Sequence, residues 1–120
     1  MQKILYVDDE IVNLELFKIN FRSEYNVYTS LSADEALDIV TNEKIKVIIT
    51  DFKMPGMDGV DFINQIKKKH PDTVCMMLTG FMSSEKVQEA ISEGNVYRCI
   101  LKPWKKEEVS RIVRNAFSEI

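Results

Sequence analysis

Acidic, hydroxyl and ammonium side chains follow four of the short apolar runs in this 120-residue chain. They are Asp8 and Asp9 after the first run, Asp51 after the third, Thr79 after the fourth and Lys102 after the fifth. Carboxylates crowded into one partly buried place repel each other and raise each other's pKa. A divalent cation with oxygen ligands removes that repulsion. Mg²⁺ suits such a place because it binds one or two carboxylates, keeps waters and takes further oxygens from a phosphate.

A lysine and a threonine beside such a metal indicate phosphoryl transfer. A phosphoryl group in transfer carries negative charge on its equatorial oxygens, which Lys102 and Thr79 could contact. Asp51 could act as the nucleophile and form an aspartyl phosphate. Each signal alone has a plainer interpretation, because Asp9 could cap a helix and Thr79 and Lys102 could belong to ordinary turns. Their joint placement after successive apolar runs favours a shared site.

The elements that would position these residues alternate five times between strand and helix patterns. Aliphatic, β-branched and aromatic content predicts strands at Lys3–Asp8, Tyr25–Thr29, Lys46–Asp51, Val74–Leu78 and Val96–Leu101. Ile11 to Phe21 has apolar residues at mixed spacings and is expected to be a mostly buried helix. The last helix shows a regular apolar stripe at Val109, Ile112, Val113, Ala116 and Phe117.

Local signals mark where the other helices begin and end. Ser32 followed by Glu35 has the spacing of a capping box, which predicts the start of the second helix. The third helix is expected to stop near His70 and Pro71, because proline disfavours helix in the residue before it. Ser83 or Ser84 would cap the fourth helix and Gly94 would close it.

Five strand-helix units in a row predict one α/β domain over residues 1–120. The sheet is expected to be parallel, with right-handed crossovers and helices on both faces. In such sheets ligands bind at the carboxyl ends of the strands. The chemical side chains above all fall at those ends, so they are expected to meet at one edge.

Composition narrows the class of protein further. A net charge of -3 and a pI of about 5.2 give no basic footprint for binding nucleic acid directly. No apolar run approaches the roughly 20 residues that a membrane span needs, and the start of the chain shows no signal-peptide pattern. Cys75 and Cys99 lie in apolar runs and are interpreted as reduced thiols. A cytoplasmic protein is expected.

Several motifs in combination resemble the receiver domain of two-component response regulators. The resemblance runs from Lys3 to about Phe117 and rests on four segments. These are Tyr6-Val-Asp-Asp-Glu10, Asp51-Phe-Lys-Met-Pro-Gly-Met-Asp-Gly59, Thr79-Gly80 and Lys102-Pro103. The resemblance implies a flavodoxin-like, doubly wound fold whose five parallel strands are ordered 2-1-3-4-5.

The resemblance also implies a role for each residue of the site. Asp51 would be the phosphoacceptor, with Thr79 and Lys102 contacting the phosphoryl oxygens. Asp9 and Asp51 would bind Mg²⁺ directly, Asp8 would hold it through water, and Lys53 would offer its backbone carbonyl. The peptide between Lys102 and Pro103 would be cis.

As a receiver, the chain would take its phosphoryl group from a phosphohistidine on a sensor histidine kinase or a phosphotransfer protein. It would be a regulatory phosphoacceptor that catalyses only its own phosphorylation and dephosphorylation. Thr79 would then move, and the face of the fourth helix, fifth strand and fifth helix would rearrange to control a partner or output domain. Val96 to Trp104 further resembles a receiver subgroup often joined to phosphodiesterase, transcription-activator or kinase modules.

Four positions bear on switching and on phosphate lifetime, two on each. Receivers usually carry Tyr or Phe three residues before the lysine, and Cys99 stands there instead. Tyr97 would lie on the same side of the strand by its alternation but displaced along it. Lys53 and Phe81 would flank the path of an attacking water, so slow loss of phosphate is expected.

Two other classes of protein compete with this interpretation. A pseudo-receiver would use the same fold for docking or dimerisation without phosphorylation, and it would lack one or more of the site residues. A phosphatase with an aspartate nucleophile usually has a second aspartate two residues on, where this chain has Lys53. The cognate kinase, the output and the oligomeric state stay open, and a homodimer through the fourth and fifth helices is compatible with the sequence.

Overall fold

Five strands and five helices alternate along the part of the chain that the structure, a computed structural model, describes, residues 1–80 and 84–120. The strands are β1 (Lys3–Val7), β2 (Asn26–Ser30), β3 (Val47–Asp51), β4 (Val74–Thr79) and β5 (Cys99–Leu101). The helices are α1 (Ile11–Phe21), α2 (Ala33–Glu43), α3 (Gly59–Lys69), α4 (Glu85–Ser92) and α5 (Lys106–Ser118).

All neighbouring strands pair in parallel, and their order is β2-β1-β3-β4-β5. The expected flavodoxin-like, doubly wound fold is therefore confirmed. The order reverses direction between β1 and β3, so the chain leaves these two strands toward opposite faces. A crevice forms at their carboxyl ends for that reason.

Two hydrophobic cores lie on the two faces of the sheet. Helices α2, α3 and α4 cover one core, and α1 and α5 cover the other. Alternation along β1 sends Leu5 and Val7 into the first core and Ile4 and Tyr6 into the second. Strands buried on both faces explain the continuous apolar runs of the sequence.

Two of the predicted helix caps, Ser32 and Gly94, agree with the structure. Ser32 Oγ accepts a hydrogen bond from the backbone N–H of Glu35 at 3.2 Å, which is one of the two bonds of a capping box, while the Ser32 N–H donates to Ser30 Oγ. Gly94 has a φ of 81°, the left-handed conformation that closes α4. Ser84 occupies the N-cap of α4 without a side-chain cap bond, and Ser83 lies outside the described residues.

The last strand is shorter than the sequence predicts. β5 begins at Cys99 instead of Val96. The backbone N–H groups of Asn95 and Val96 bond back to the carbonyl of Ala90 in α4, so these residues end the helix and are lost to the sheet.

The expectation of a mostly buried α1 is wrong. Leu14, Phe17 and Phe21 face the core, but four other apolar residues of this helix are exposed. They are Ile11, Val12, Leu16 and Ile19. Helix α1 carries apolar residues on all its sides, and its outer side is exposed to solvent. No helix in the described ranges is long and apolar enough to span a membrane.

Candidate functional site

Three carboxylates meet at the crevice between β1 and β3. Asp8 and Asp9 follow β1, and Asp51 is the last residue of β3. Each can offer one oxygen such that all three oxygens lie within 4.8 Å of one another. Asp8 is fully buried, Asp51 is half-buried and Asp9 is exposed. Asp9 does not cap α1, whose N-cap residue is Glu10.

The buried carboxylate of Asp8 is held by four hydrogen-bond donors. Its Oδ2 accepts from the Tyr6 hydroxyl at 2.7 Å, from Asn13 Nδ2 at 3.1 Å and from Lys102 Nζ at 3.2 Å. Its Oδ1 accepts from the backbone N–H of Glu10 at 3.0 Å. A buried charge is stable only when it is paired and hydrogen-bonded in this way. Asp8 therefore has a fixed orientation.

Lys102 joins two of the acids. It follows β5, and its Nζ lies 3.2 Å from Asp8 Oδ2 and 3.4 Å from Asp51 Oδ1. Its backbone N–H donates to the carbonyl of Thr79 at 3.0 Å, which ties the end of β5 to the end of β4. The ammonium group of Lys102 therefore lies beside Asp51, where it would attract the negative charge of a group bound to that carboxylate.

The environment of Asp51 opposes its ionisation. Burial raises the pKa of its carboxyl most, and the charge of Asp8 raises it further, while Lys102 and the Phe52 N–H lower it. The hydrogen bond from the Phe52 N–H to Oδ1 measures 2.9 Å. A cation at the three acids would remove the repulsion between them. The donor set, three carboxylate oxygens on a half-open edge, fits a hard divalent ion such as Mg²⁺.

Two residues of the site escaped sequence reasoning. Tyr6 lies inside a strand and Asn13 inside a helix, and both read as structural positions. Burial and the hydrogen bond to Asp8 raise the pKa of the Tyr6 hydroxyl, so the hydroxyl stays protonated and donates a hydrogen bond to Asp8. One signal in the sequence could have indicated Tyr6. It lies two residues before Asp8 in the strand pattern, so period-two alternation places its hydroxyl on the same side as the Asp8 carboxylate.

Gly59 fixes the loop that follows Asp51. Its N–H donates to the carbonyl of Phe52 at 2.7 Å, and a Cβ built on it would overlap the carbonyl oxygen of Asp51. Only glycine fits this close approach. Asp58, just before it, caps α3 through its Oδ1 and pairs with Lys86 of α4 through its Oδ2 at 2.7 Å.

The other predicted site residues take these places. Thr79 is fully buried at the end of β4, one residue beyond Leu78, which pairs with Asp51 in register. The Lys53 side chain is exposed in the loop after Asp51. The peptide between Lys102 and Pro103 is cis, as expected. Phe81 lies outside the described residues.

Tyr97 and Cys99 do not share a side of the sheet, so that expectation is wrong. Cys99 packs against the core under α2, α3 and α4, whereas Tyr97 packs against the core under α1 and α5. Tyr97 precedes β5 and lies in a bend, where strand alternation does not apply. The Arg98 guanidinium lies 4.6 Å from the centre of its ring.

Comparison with known proteins identifies this arrangement. Residues 4–114 match the family described as response regulator receiver domain. The chain belongs to this family. Receiver domains are regulatory phosphoacceptors of two-component signalling, which interact with histidine kinases and output domains.

Individual relatives of this receiver domain include short and long proteins. It is 33% identical over 113 residues to the hydrogenase transcriptional regulatory protein HoxA of Cupriavidus necator, covering 94% of this chain but 23% of that protein. The chain thus spans about a quarter of this relative's length. It is 27% identical to sporulation initiation phosphotransferase F of Bacillus subtilis, covering 94% of this chain and 91% of that one.

A solved structure with a similar fold contains Mg²⁺. The response regulator protein TrrA of Thermotoga maritima, in complex with Mg(2+)-BeF, superposes with a TM-score of 0.84 at 26% identity. The match covers 97% of this chain and 99% of that one. In the present chain, the carboxylates of Asp8, Asp9 and Asp51 are grouped closely enough to hold a metal ion.

Proposed function

We propose that residues 1–120 form one receiver domain that accepts a phosphoryl group on Asp51. Asp9 and Asp51 would bind Mg²⁺ directly, Asp8 would hold it through water, and the backbone carbonyl of Lys53 would add a ligand. The observation that carries the proposal is the junction of Asp8, Asp51 and Lys102 at one strand edge.

The chemistry divides among the protein's own side chains. An Asp51 carboxylate oxygen attacks phosphorus, the bond from phosphorus to the donor's imidazole nitrogen breaks, and an acyl phosphate forms. Lys102 leaves Asp8 and Asp51 to attract the phosphoryl oxygens, and the Thr79 hydroxyl donates to another of them. A bound Mg²⁺ supplies positive charge that neutralises the oxygens. Hydrolysis of the acyl phosphate later resets the domain.

The phosphodonor is a phosphohistidine on a sensor histidine kinase or phosphotransfer protein, and the outer side of α1 suits its docking. Ile11, Val12, Leu16 and Ile19 are exposed there. A cleft of about 600 Å³ continues this face toward the acids. It is lined by Tyr6, Asn13, Leu16, Asn20, Lys102, Pro103, Trp104 and Lys106. An apolar partner surface seated there would reach Lys102 and the pocket beyond it.

The signal leaves through α4, β5 and α5 to an output domain or partner. Phosphorylation is a local change of charge that biases an element with two arrangements. Thr79 is buried at the end of β4, and Cys99 begins β5, the strand of this face. The reduced thiols of Cys75 and Cys99 fit a cytoplasmic setting.

Treatment with acetyl phosphate and Mg²⁺, read by intact mass, tests the proposal. The wild-type chain should gain the mass of one phosphoryl group, and Asp51→Ala should gain none. Asp72→Ala is the matched control, because Asp72 is an exposed acid in the turn before β4 and should leave the gain intact. Absence of any gain in the wild type would favour a pseudo-receiver that only docks or dimerises.

A further inference from the structure

The hydrogen bonds to Asp8 restrict what this acid can do for a cation. Three donors converge on Oδ2 and one on Oδ1. A carboxylate has about four lone-pair sites, two on each oxygen, so the donors in place fill Oδ2 and leave about one site on Oδ1. Asp8 therefore cannot turn toward a cation without breaking hydrogen bonds inside the protein.

Tyr6 is the most deeply buried of the side chains that donate to Asp8. Its side chain is 1% exposed, and its ring stacks on Phe17 with a centroid distance of 4.3 Å and an interplanar angle of 20°. The 2.7 Å bond from its hydroxyl is also the shortest that Asp8 accepts. Lys102 can leave Asp8 for a phosphoryl group, whereas burial and stacking on Phe17 fix the Tyr6 ring with its hydroxyl on Asp8.

We propose that Tyr6, assisted by Asn13, sets the metal preference of the site by holding Asp8 back from direct coordination. Both are positioning residues that act through Asp8, and this role rests on the proposed metal-dependent phosphoacceptor function. Held in this orientation, Asp8 accepts a hydrogen bond from a water on the cation instead of binding the cation itself.

The physical reason is the difference between Mg²⁺ and Ca²⁺ in ligand demand. Mg²⁺ needs an octahedron at about 2.0–2.1 Å and keeps several waters. Ca²⁺ accepts about six to eight oxygens at about 2.3–2.6 Å in flexible geometry and gains from every further carboxylate. An acid that can reach the cation only through water therefore favours Mg²⁺. Freeing Asp8 to rotate would favour Ca²⁺.

Titration of the metal-free chain with MgCl₂ and with CaCl₂ tests this role. The readout is the fluorescence of Trp104, the one tryptophan of the chain, which lines the same cleft as Tyr6 and Lys102. Tyr6→Phe keeps the stacked ring and removes only the hydroxyl. Affinity for Mg²⁺ should fall by about tenfold, the range found when a group supporting a metal ligand is lost. Affinity for Ca²⁺ should fall much less, so the ratio of the two dissociation constants shifts toward Ca²⁺.

Two further variants keep the test decisive. Asn13→Ala should shift the ratio in the same direction. Tyr28→Phe removes a tyrosine hydroxyl that donates to Glu43, away from the acids, and should leave the ratio unchanged. If the ratio of the two dissociation constants is unchanged in Tyr6→Phe, whether or not both affinities fall, the inference is overturned while the phosphoacceptor proposal stands. A wild-type chain that binds no Mg²⁺ would overturn both.

Discussion

Tyr97 and Cys99, two residues apart in sequence, pack against opposite faces of the central sheet. The ring of Tyr97 thus lies on the α1 and α5 side, and the half-buried thiol of Cys99 lies on the side of α4. A ring at Tyr97 cannot replace one at Cys99, because the sheet separates them. The position where receivers usually carry an aromatic residue is therefore occupied here by a small side chain alone.

The first prediction concerns Cys99→Tyr. A small thiol transmits less movement from Thr79 to α4 than a ring would, so we expect weaker coupling in the wild type. Amide chemical shifts of α4 should change more on addition of beryllofluoride and Mg²⁺ in Cys99→Tyr than in wild type. Tyr97→Phe is the control and should respond like the wild type. Equal responses of wild type and Cys99→Tyr would refute the weaker coupling.

Gly59→Ala should displace the loop after Asp51. The new Cβ would overlap the Asp51 carbonyl oxygen and contact the Phe52 backbone, which cannot move away as a flexible side chain would. We expect a loss of about 1–3 kcal/mol in the free energy of unfolding, as for other overpacked sites. Urea denaturation measures it.

Gly80→Ala is the matched control for this loss. Among the residues that the structure describes, a Cβ at Gly80 meets nothing within 4 Å, and the φ of Gly80 is not in the left-handed region. Its stability should stay within about 0.5 kcal/mol of the wild type. Equal stabilities of the two variants would show that the backbone around Asp51 relaxes freely.

Asp51→Asn should stabilise the metal-free protein at neutral pH. The folded chain raises the pKa of this carboxyl above its ordinary value of 3.8, chiefly through burial. Between the two pKa values the folded state binds more protons than the unfolded state, so wild-type stability falls as pH rises through this window. The penalty is complete above the raised pKa, and the asparagine avoids it.

Urea unfolding with a chelator present, at neutral pH and again near the ordinary carboxyl pKa, checks the sign. The advantage of Asp51→Asn should shrink as the pH falls. Asp72→Asn, an exposed acid, should show no comparable advantage. A variant less stable than wild type at neutral pH would mean that the ion pair with Lys102 outweighs burial.

Lys53→Asn should shorten the life of the phosphoryl group. The Lys53 side chain is exposed two residues past Asp51, and its long aliphatic stem would hinder an attacking water. A shorter amide should raise the dephosphorylation rate several-fold, measured by intact mass after removal of acetyl phosphate. Lys69→Asn, at the exposed end of α3, should leave the rate unchanged. The argument fails if Lys53→Asn decays at the wild-type rate.

Strand and helix patterns in the sequence were enough to predict a parallel α/β sheet, and the resemblance to receiver domains implied the strand order 2-1-3-4-5. Each of the ten elements rests on local signals, such as the apolar run that ends at Asp51 or the Ser32 cap with its bond to Glu35. Parallel strands place their carboxyl ends together, so Asp8, Asp51 and Lys102 could be assigned to one edge before any coordinates. The predicted start of β5 was wrong because the Val96 N–H donates to the carbonyl of Ala90 in α4, and no local pattern reveals that bond.

The sequence by itself determined that Asp8, Asp51 and Lys102 lie at one edge of the sheet, because their order along alternating strands and helices fixes their place. Only the tertiary structure decided how they are held. Lys102 and Asp8 meet across 94 residues, Tyr6 and Asn13 converge on the same carboxylate oxygen, and the outer side of α1 stays uncovered. These contacts depend on which distant element packs beside each residue. Sequence periodicity cannot predict them, because it shows only which residues share a face of one strand or helix.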